Sequence, residues 1–254
     1  RGNNMKEKTS LIFTGDIGFD KYMYGKWDDE ELLSKDVLDF LHSADHVIAN
    51  VEGPVAEVEQ NTTKDGVQQL LHTIDPKALK VLRKMKADIW NICNNHIMDA
   101  KEYGIKRTLE FAKQENALTI GAGMNIEEAR KPVILDEAGG IGMFGVGYQR
   151  ACRKADENTP GCYSWSDLEA IQNSINEIKS GGPVKENTGF YEVLKAKKST
   201  KAYFVGHAHL FYFQVKMDDI ILGFAPQSGF SKLFAGNNNP RKTYMYHLSP
   251  DFSF

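Results

Sequence analysis

Cysteine is scarce in this 254-residue chain. Its three cysteines, Cys93, Cys152 and Cys162, do not make a disulfide framework. Cys93 lies in an apolar run and reads as a core residue; Cys152 and Cys162 bracket a polar loop and either pair in an oxidising compartment or stay as free thiols. Long apolar runs are lacking too, and nothing approaches the roughly 20 residues needed to span a bilayer. Arg1-Gly2-Asn3-Asn4 before Met5 carries no apolar stretch of the signal-peptide kind, so these four residues read as a vector remnant or the trimmed edge of a longer protein. An excess of either charge is missing as well: 31 basic residues against 34 acidic ones leave a formal net charge of −3. That balance gives no electrostatic footprint for nucleic acid or an anionic membrane surface, and nucleic-acid binding is not the default expectation. Internal repeats, low-complexity tracts and a clear inter-domain linker are absent, and no histidine occurs between His96 and His207.

What is present is a core-forming composition, 41% hydrophobic, enough for one α/β domain over residues 1–254. Strand and helix patterns alternate along the first half. Strands are predicted at 10–14, 46–50, 88–93 and 118–120, with helices near 29–42, 76–86 and 101–115. Asp75-Pro76 has the form of an N-cap with proline at the first helical position, and Asn125 caps a small helical turn. Pro132 to Leu135 and Ile141 to Val146 form a hairpin-type pair across Gly139-Gly140. The second half predicts helices at 164–178 and 187–197, then strands at 201–205, 210–216, 219–223 and 243–248, with Asp218-Asp219 as a hairpin turn. A βα-repeating fold expects a strand near 180–186, and that stretch has no apolar β run.

Four of the predicted strands end in polar side chains. Leu11-Ile12-Phe13-Thr14 runs into Gly15-Asp16; His46-Val47-Ile48-Ala49 runs into Asn50-Val51-Glu52; the strand at 88–93 runs into Asn94-Asn95-His96; the strand at 201–205 runs into Gly206-His207-Ala208-His209. The carboxyl ends of the strands are where open α/β sheets place their ligands. Imidazole nitrogen, carboxylate oxygen and amide carbonyl are the donor set for divalent Zn, Mn, Fe or Co. Together these features predict a metal-centred hydrolase site. His207 and His209 fall on one side of an extended segment, which suits two neighbouring ions. The other histidines, His42, His46, His72 and His247, are assigned to structure or surface.

Thr14-Gly15-Asp16, Asn50-Val51-Glu52, Asn94-Asn95-His96-Ile97-Met98-Asp99, Gly121-Ala122-Gly123 and Gly206-His207-Ala208-His209, in that order, resemble the bacterial capsule-synthesis CapA/PgsA family. That family belongs to the calcineurin-like metallophosphoesterase superfamily. The resemblance implies a sandwich of two mixed β-sheets flanked by helices, with two divalent ions at the strand ends. It implies Asp16, Glu52, Asn95, His207 and His209 as metal ligands, with Glu52 bridging, and His96 as the catalytic group beside the scissile phosphate. A water between the two ions would become the attacking hydroxide. Asp20, Asn50 and Asp99 fall in supporting places, Asp20 also as a substitute ligand.

Two departures from the superfamily pattern stand out. Its usual first motif is Asp-x-His, whereas this chain reads Asp16-Ile17-Gly18. Its further metal-ligating histidine sits on the strand missing near 179–186, either through a real deletion or, as the helix faces on both sides favour, because a stretch between the flanking residues is omitted. Three functions follow: a metallophosphoesterase acting on a phosphate ester; a CapA-like role in synthesis, export or release of an anionic polymer such as poly-γ-glutamate; or a degenerate, metal-poor fold that binds. Localisation is open between the cell envelope, if an anchor was trimmed, and the cytoplasm, and oligomeric state is unread.

Overall fold

The computed structural model describes residues 9–20, 23–57, 71–135, 141–147 and 152–164, the helical positions 169, 171–173 and 175, and the backbone of residues 63–64, 67–68, 202–205, 213–217, 220–224 and 244–248. The strands are β1 Thr9–Ile17, β2 His46–Val51, β3 Thr63–Lys64, β4 Val67–Gln68, β5 Ala87–Asn91, β6 Leu118–Ile120, β7 Ala122–Gly123, β8 Val133–Leu135, β9 Ile141–Met143, β10 Gly161–Cys162, β11 Ala202–Val205, β12 Phe213–Met217, β13 Ile220–Phe224 and β14 Tyr244–Leu248. The helices are α1 Lys35–His42, α2 Leu79–Met85, α3 Lys101–Gln114 and α4 Ile126–Ala129. The main sheet has the order β14-β1-β2-β5-β6. β1, β2, β5 and β6 run parallel, and β14 closes the β1 edge antiparallel. A second mixed sheet has the order β11-β13-β12. The architecture is α/β, with the parallel four-strand sheet flanked by helices of the metallophosphoesterase-like kind.

The pleat sorts the apolar residues onto two faces, because successive side chains of a strand point opposite ways. Ile12, Val47, Ala49, Val51, Trp90 and Ile92 join one cluster with Leu41 of α1, Leu79 and Leu82 of α2, and Ile105 and Phe111 of α3. Their neighbours Leu11, Ile48 and Ile89 face the other way, onto Val133, Leu135 and Ile141 of the β8–β9 hairpin. With both faces covered, the inner strands are continuous apolar runs, as expected of a buried parallel sheet. Trp90 is the largest fully buried side chain, 1% exposed, and its indole N–H donates to the Ala87 carbonyl at 2.9 Å.

The helix expected near 29–42 begins later. Residues 26–28 form a single 3₁₀ turn, the Asp29 carboxylate accepts from the Glu31 backbone at 3.0 Å, and Ser34 caps α1 by accepting from Val37 N at 3.3 Å. Short polar side chains bonded to their own backbone compete with helix. Asp75 does cap its helix, accepting from Lys77 N at 2.9 Å, although the first turn is 3₁₀. Asn125 caps α4 through Glu128 N at 2.9 Å. Ala122-Gly123, directly after the predicted strand 118–120, supplies β7, which pairs with β10. The predicted helix at 187–197 and the strandless stretch 179–186 lie outside the described residues. Ile171 and Ile175, both buried, fall on the helical positions described between 164 and 178.

Residues 53–57 are tied to α3. The Val55 N–H donates to Thr108 Oγ1 at 2.8 Å, and Arg107 reaches Glu57 through Nε at 2.9 Å and Nη2 at 2.5 Å. Those guanidinium hydrogen bonds hold the Glu57 carboxyl at about 2, well below the ordinary carboxylate range.

Gly121 marks the tightest passage, where the chain leaves β6 beside Cys93. Its φ is +92°, and an added Cβ would lie 2.4 Å from Cys93 Cβ and 2.9 Å from Gly145 Cα. Gly121→Ala therefore combines left-handed strain with overpacking, and we expect it to remove about 2–4 kcal/mol of stability. A urea unfolding midpoint unchanged from the parent protein would contradict this packing.

Candidate metal and catalytic site

The site begins with register. Between Phe13 and Asp16 the β1–β2 ladder shifts, a bulge of the kind that re-aims a side chain. After it Asp16 stands opposite Asn50, and Asn50 stands opposite Asn91 of β5. The three side chains form a row across the carboxyl ends of the parallel strands: Asn50 Nδ2 donates to Asp16 Oδ1, and Asn91 Nδ2 donates to Asn50 Oδ1 at 2.9 Å. Glu52 continues this edge, its backbone N–H donating to the Ile17 carbonyl at 3.0 Å. The residue is only 6% exposed, so its carboxylate is a buried anion that needs polar or cationic company.

The turn after β5 is fixed by Asn94, which is buried. Its Nδ2 donates to the Val51 carbonyl at 2.8 Å and its Oδ1 accepts from His96 N at 3.1 Å. One amide thus ties the end of β2, beside Glu52, to the backbone of His96. Asn95, the expected amide ligand, is half-buried in the same turn. His96 Nδ1 lies 2.7 Å from Asp99 Oδ2. A carboxylate only accepts, so Nδ1 carries the proton and Nε2 faces away from Asp99.

Asp99 Oδ2 also accepts from the backbone N–H of His72 at 2.7 Å. Asp20, 8% exposed, places its Oδ2 3.0 Å from His72 Nδ1. The His72 and His96 rings are in contact, with centroids 4.0 Å apart and planes tilted by 58°. His72, assigned from sequence to structure or surface, therefore lies against His96. Nothing in its local pattern marked it, since it comes from a separate segment 24 positions before His96. Gly53 makes the approach feasible: its φ is +111°, and a Cβ there would come within 2.8 Å of the His72 carbonyl oxygen. His42 and His46 do serve structure, touching the Lys84 carbonyl at 2.8 Å and Asp88 at 2.6 Å.

For a divalent cation, the donor chemistry of Asp16, Glu52 and Asn95 fits: two carboxylates and an amide oxygen at one end of a sheet. Among the described residues, no group of three or more His, Cys, Asp and Glu could by itself hold an ion. His207 and His209 lie outside the described residues. Asn50 and Asp99 are engaged with Asp16 and His96 respectively, and Asp20 with His72.

The three cysteines are buried thiols, none of them in a disulfide. Cys93 Sγ lies 3.6 Å from the Tyr163 carbonyl, and Cys162 Sγ lies 3.5 Å from the Asn94 carbonyl. A hydrogen bond with Cys152 draws the Cys162 thiol down, but the one with Cys93 and burial outweigh it and hold that thiol well above its ordinary range.

A parallel sheet with carboxylates, amides and a carboxylate-held histidine at its strand ends defines an α/β domain of the metallophosphoesterase-like class. Residues 10–211 match the model of the family described as bacterial capsule synthesis protein PGA_cap, and the chain belongs to that family. It is 30% identical over 176 residues to the "PGA biosynthesis protein CapA" of Bacillus subtilis (strain 168), covering 67% of this chain and 45% of that protein. It is 22% identical over 151 residues to the "Capsule biosynthesis protein CapA" of Bacillus anthracis, covering 57% of this chain and 36% of that protein. The match thus spans less than half the length of either relative. Among the described residues, no helix is long and apolar enough to cross a membrane.

Asn94→Ala removes both bonds that tie β2 to the turn and leaves the Val51 carbonyl without this donor. We expect it to cost about 2 kcal/mol in chemical denaturation. A loss below about half a kcal/mol would show that Asn94 does not hold the turn.

Proposed function

We propose that this chain serves capsule-polymer biosynthesis, in the synthesis, export or release of an anionic polymer such as poly-γ-glutamate, and that its cleft works there as a metal-dependent hydrolase. The capsule role is carried by membership of the PGA_cap family together with the two CapA relatives. The hydrolytic chemistry is favoured by one observation, the 2.7 Å pairing of His96 Nδ1 with Asp99 beside the buried Glu52. Phosphate esters and the amide bonds of the polymer are both substrates for such a site.

In this reading Asp16, Glu52 and Asn95 hold divalent Mn, Fe, Zn or Co, with His207 and His209 completing the two sites. Bound there, the ions would supply Lewis acidity and lower the pKa of a water. The chain's own contribution is orientation. Asn94 fixes the backbone at His96, and Asp99 fixes its ring. His96 Nε2, when protonated, delivers its proton to the oxygen or nitrogen that leaves as the P–O or C–N bond breaks. Positioned proton transfer of this kind contributes roughly 10²–10⁴ in rate.

The purified chain is expected to hydrolyse a phosphate ester, a γ-glutamyl polymer, or both, in a metal-stimulated way. Glu52→Ala and His96→Ala should each lower kcat by about 100-fold or more while retaining the far-UV circular dichroism of the parent. The His96→Ala defect should be larger with an alkyl phosphate than with an aryl phosphate, because an alkoxide leaves poorly without a proton. Equal turnover in parent and both variants would reject the hydrolytic reading, and turnover of phosphate esters with none of the polymer would count against the capsule polymer as substrate.

A further inference from the structure

We propose that His72 is a second working imidazole of this cleft, binding an oxyanion of the substrate beside His96; this deepens the hydrolase reading and rests on it for the identity of the substrate. The segment carrying His72 is locked in place. Ile74 N donates to the Pro54 carbonyl at 2.8 Å, Ala56 N donates to the Ile74 carbonyl at 3.1 Å, and Val55 bridges Ile74 in parallel. The Gly53 backbone leaves no room for a Cβ against the His72 carbonyl. These contacts set the backbone of His72 next to the residue that follows Glu52.

Two carboxylates then flank His72. Asp99 Oδ2 accepts from the His72 backbone at 2.7 Å, and Asp20 Oδ2 stands 3.0 Å from His72 Nδ1. Asp20 lies at ion-pair distance from Nδ1, so Nε2 is the ring nitrogen assigned to the ligand. An N–H at His72 Nε2 is a donor for an oxyanion. Asp99 is hydrogen-bonded to His96 Nδ1, so two rings in contact each have a carboxylate near Nδ1. The His72 and His96 side chains are 21% and 15% exposed, so both reach solvent from a largely closed wall.

Packing alone is a poor account of this arrangement. Ring contact could be supplied by apolar side chains, and exchanging a buried ion pair for apolar residues is commonly neutral or stabilising. Two imidazoles in contact, each near a mostly buried carboxylate and each partly exposed, instead form a polar wall that packing does not require. In the sequence the Asp-x-His motif is replaced by Asp16-Ile17-Gly18, and the structure brings in an imidazole from a different segment, held by Asp20 of that same β1 end. The group bound is the non-bridging oxygen of a phosphate ester or the carboxylate of a polymer, chemically one kind of acceptor.

The test follows imidazole resonances of the full chain, histidine-labelled and loaded with diamagnetic Zn²⁺, during titration with inorganic phosphate and, separately, with a γ-linked glutamate oligomer. His72→Gln identifies the His72 signals. We expect at least one titrant to shift them; phosphate alone points to an ester, the oligomer alone to the polymer. His72→Phe keeps a ring against His96 but removes the nitrogen, and should weaken binding of the active titrant at least tenfold and raise KM by a similar factor with kcat within about threefold. His72→Gln, which places a donor near the Nε2 position, should recover most of the affinity. A failure of both titrants to shift the His72 signals, or parent-like affinity in folded His72→Phe, overturns the proposal. Turnover with an unchanged KM in His72→Phe sinks the oxyanion seat and leaves the hydrolase reading intact. Binding without any turnover in the parent does the reverse.

Discussion

The cleft depends on how β1, β2 and β5 are registered at their carboxyl ends. The bulge before Asp16 brings that residue opposite Asn50, and Asn50 opposite Asn91, so three polar side chains meet in a row where the apolar ladders stop. A one-residue slip in a strand turns every side chain to the other face. Here the slip would carry Ile12 and Val47 from the helix-covered face and move Asp16 away from the row with them. The same burial that stabilises the sheet therefore fixes the position of the carboxylate. Asn94 transmits the register onward, since its amide spans from Val51 to His96.

The segments that follow β1, β2 and β5 gather carboxylates. Glu52 and Asp20 are nearly buried, and Asp99 is mostly so. Each such carboxylate carries a desolvation cost of several kcal/mol unless it is paired and hydrogen-bonded. His72 and His96 provide that pairing for Asp20 and Asp99. The proposed cation at Asp16 and Glu52 would add to the partners those carboxylates have. The apolar core beneath, from Trp90 through Ile92 and Ile97, gives the rigid support on which such an arrangement can persist.

Much of this was legible in the sequence, for identifiable reasons. The inner strands are short β-branched runs, α3 has a clear apolar stripe, and the caps at Asp75 and Asn125 sit where short polar residues predict them. The strand ends carrying Asp16, Asn50 and Asn94 to His96 were visible because polar residues follow apolar runs abruptly. The start of α1 was not, because Asp29 and Ser34 bind their own backbone and break the periodicity. The β7–β10 pair was hidden by its length, two residues on each side, too short to show alternation. The placement of His72 beside His96 was not legible, because it depends on contacts with Asp20 and Asp99, far off in sequence, and on a close approach at Gly53.

Convergence of Asp16, Glu52 and Asn95 on a divalent ion is the claim on which the account turns, and diffraction from crystals grown with Mn²⁺ addresses it directly. Anomalous difference density is expected about 2–2.5 Å from carboxylate oxygens of both Asp16 and Glu52. Well-ordered side chains at those positions with no anomalous peak between them, or a peak only at a remote surface carboxylate, would contradict it.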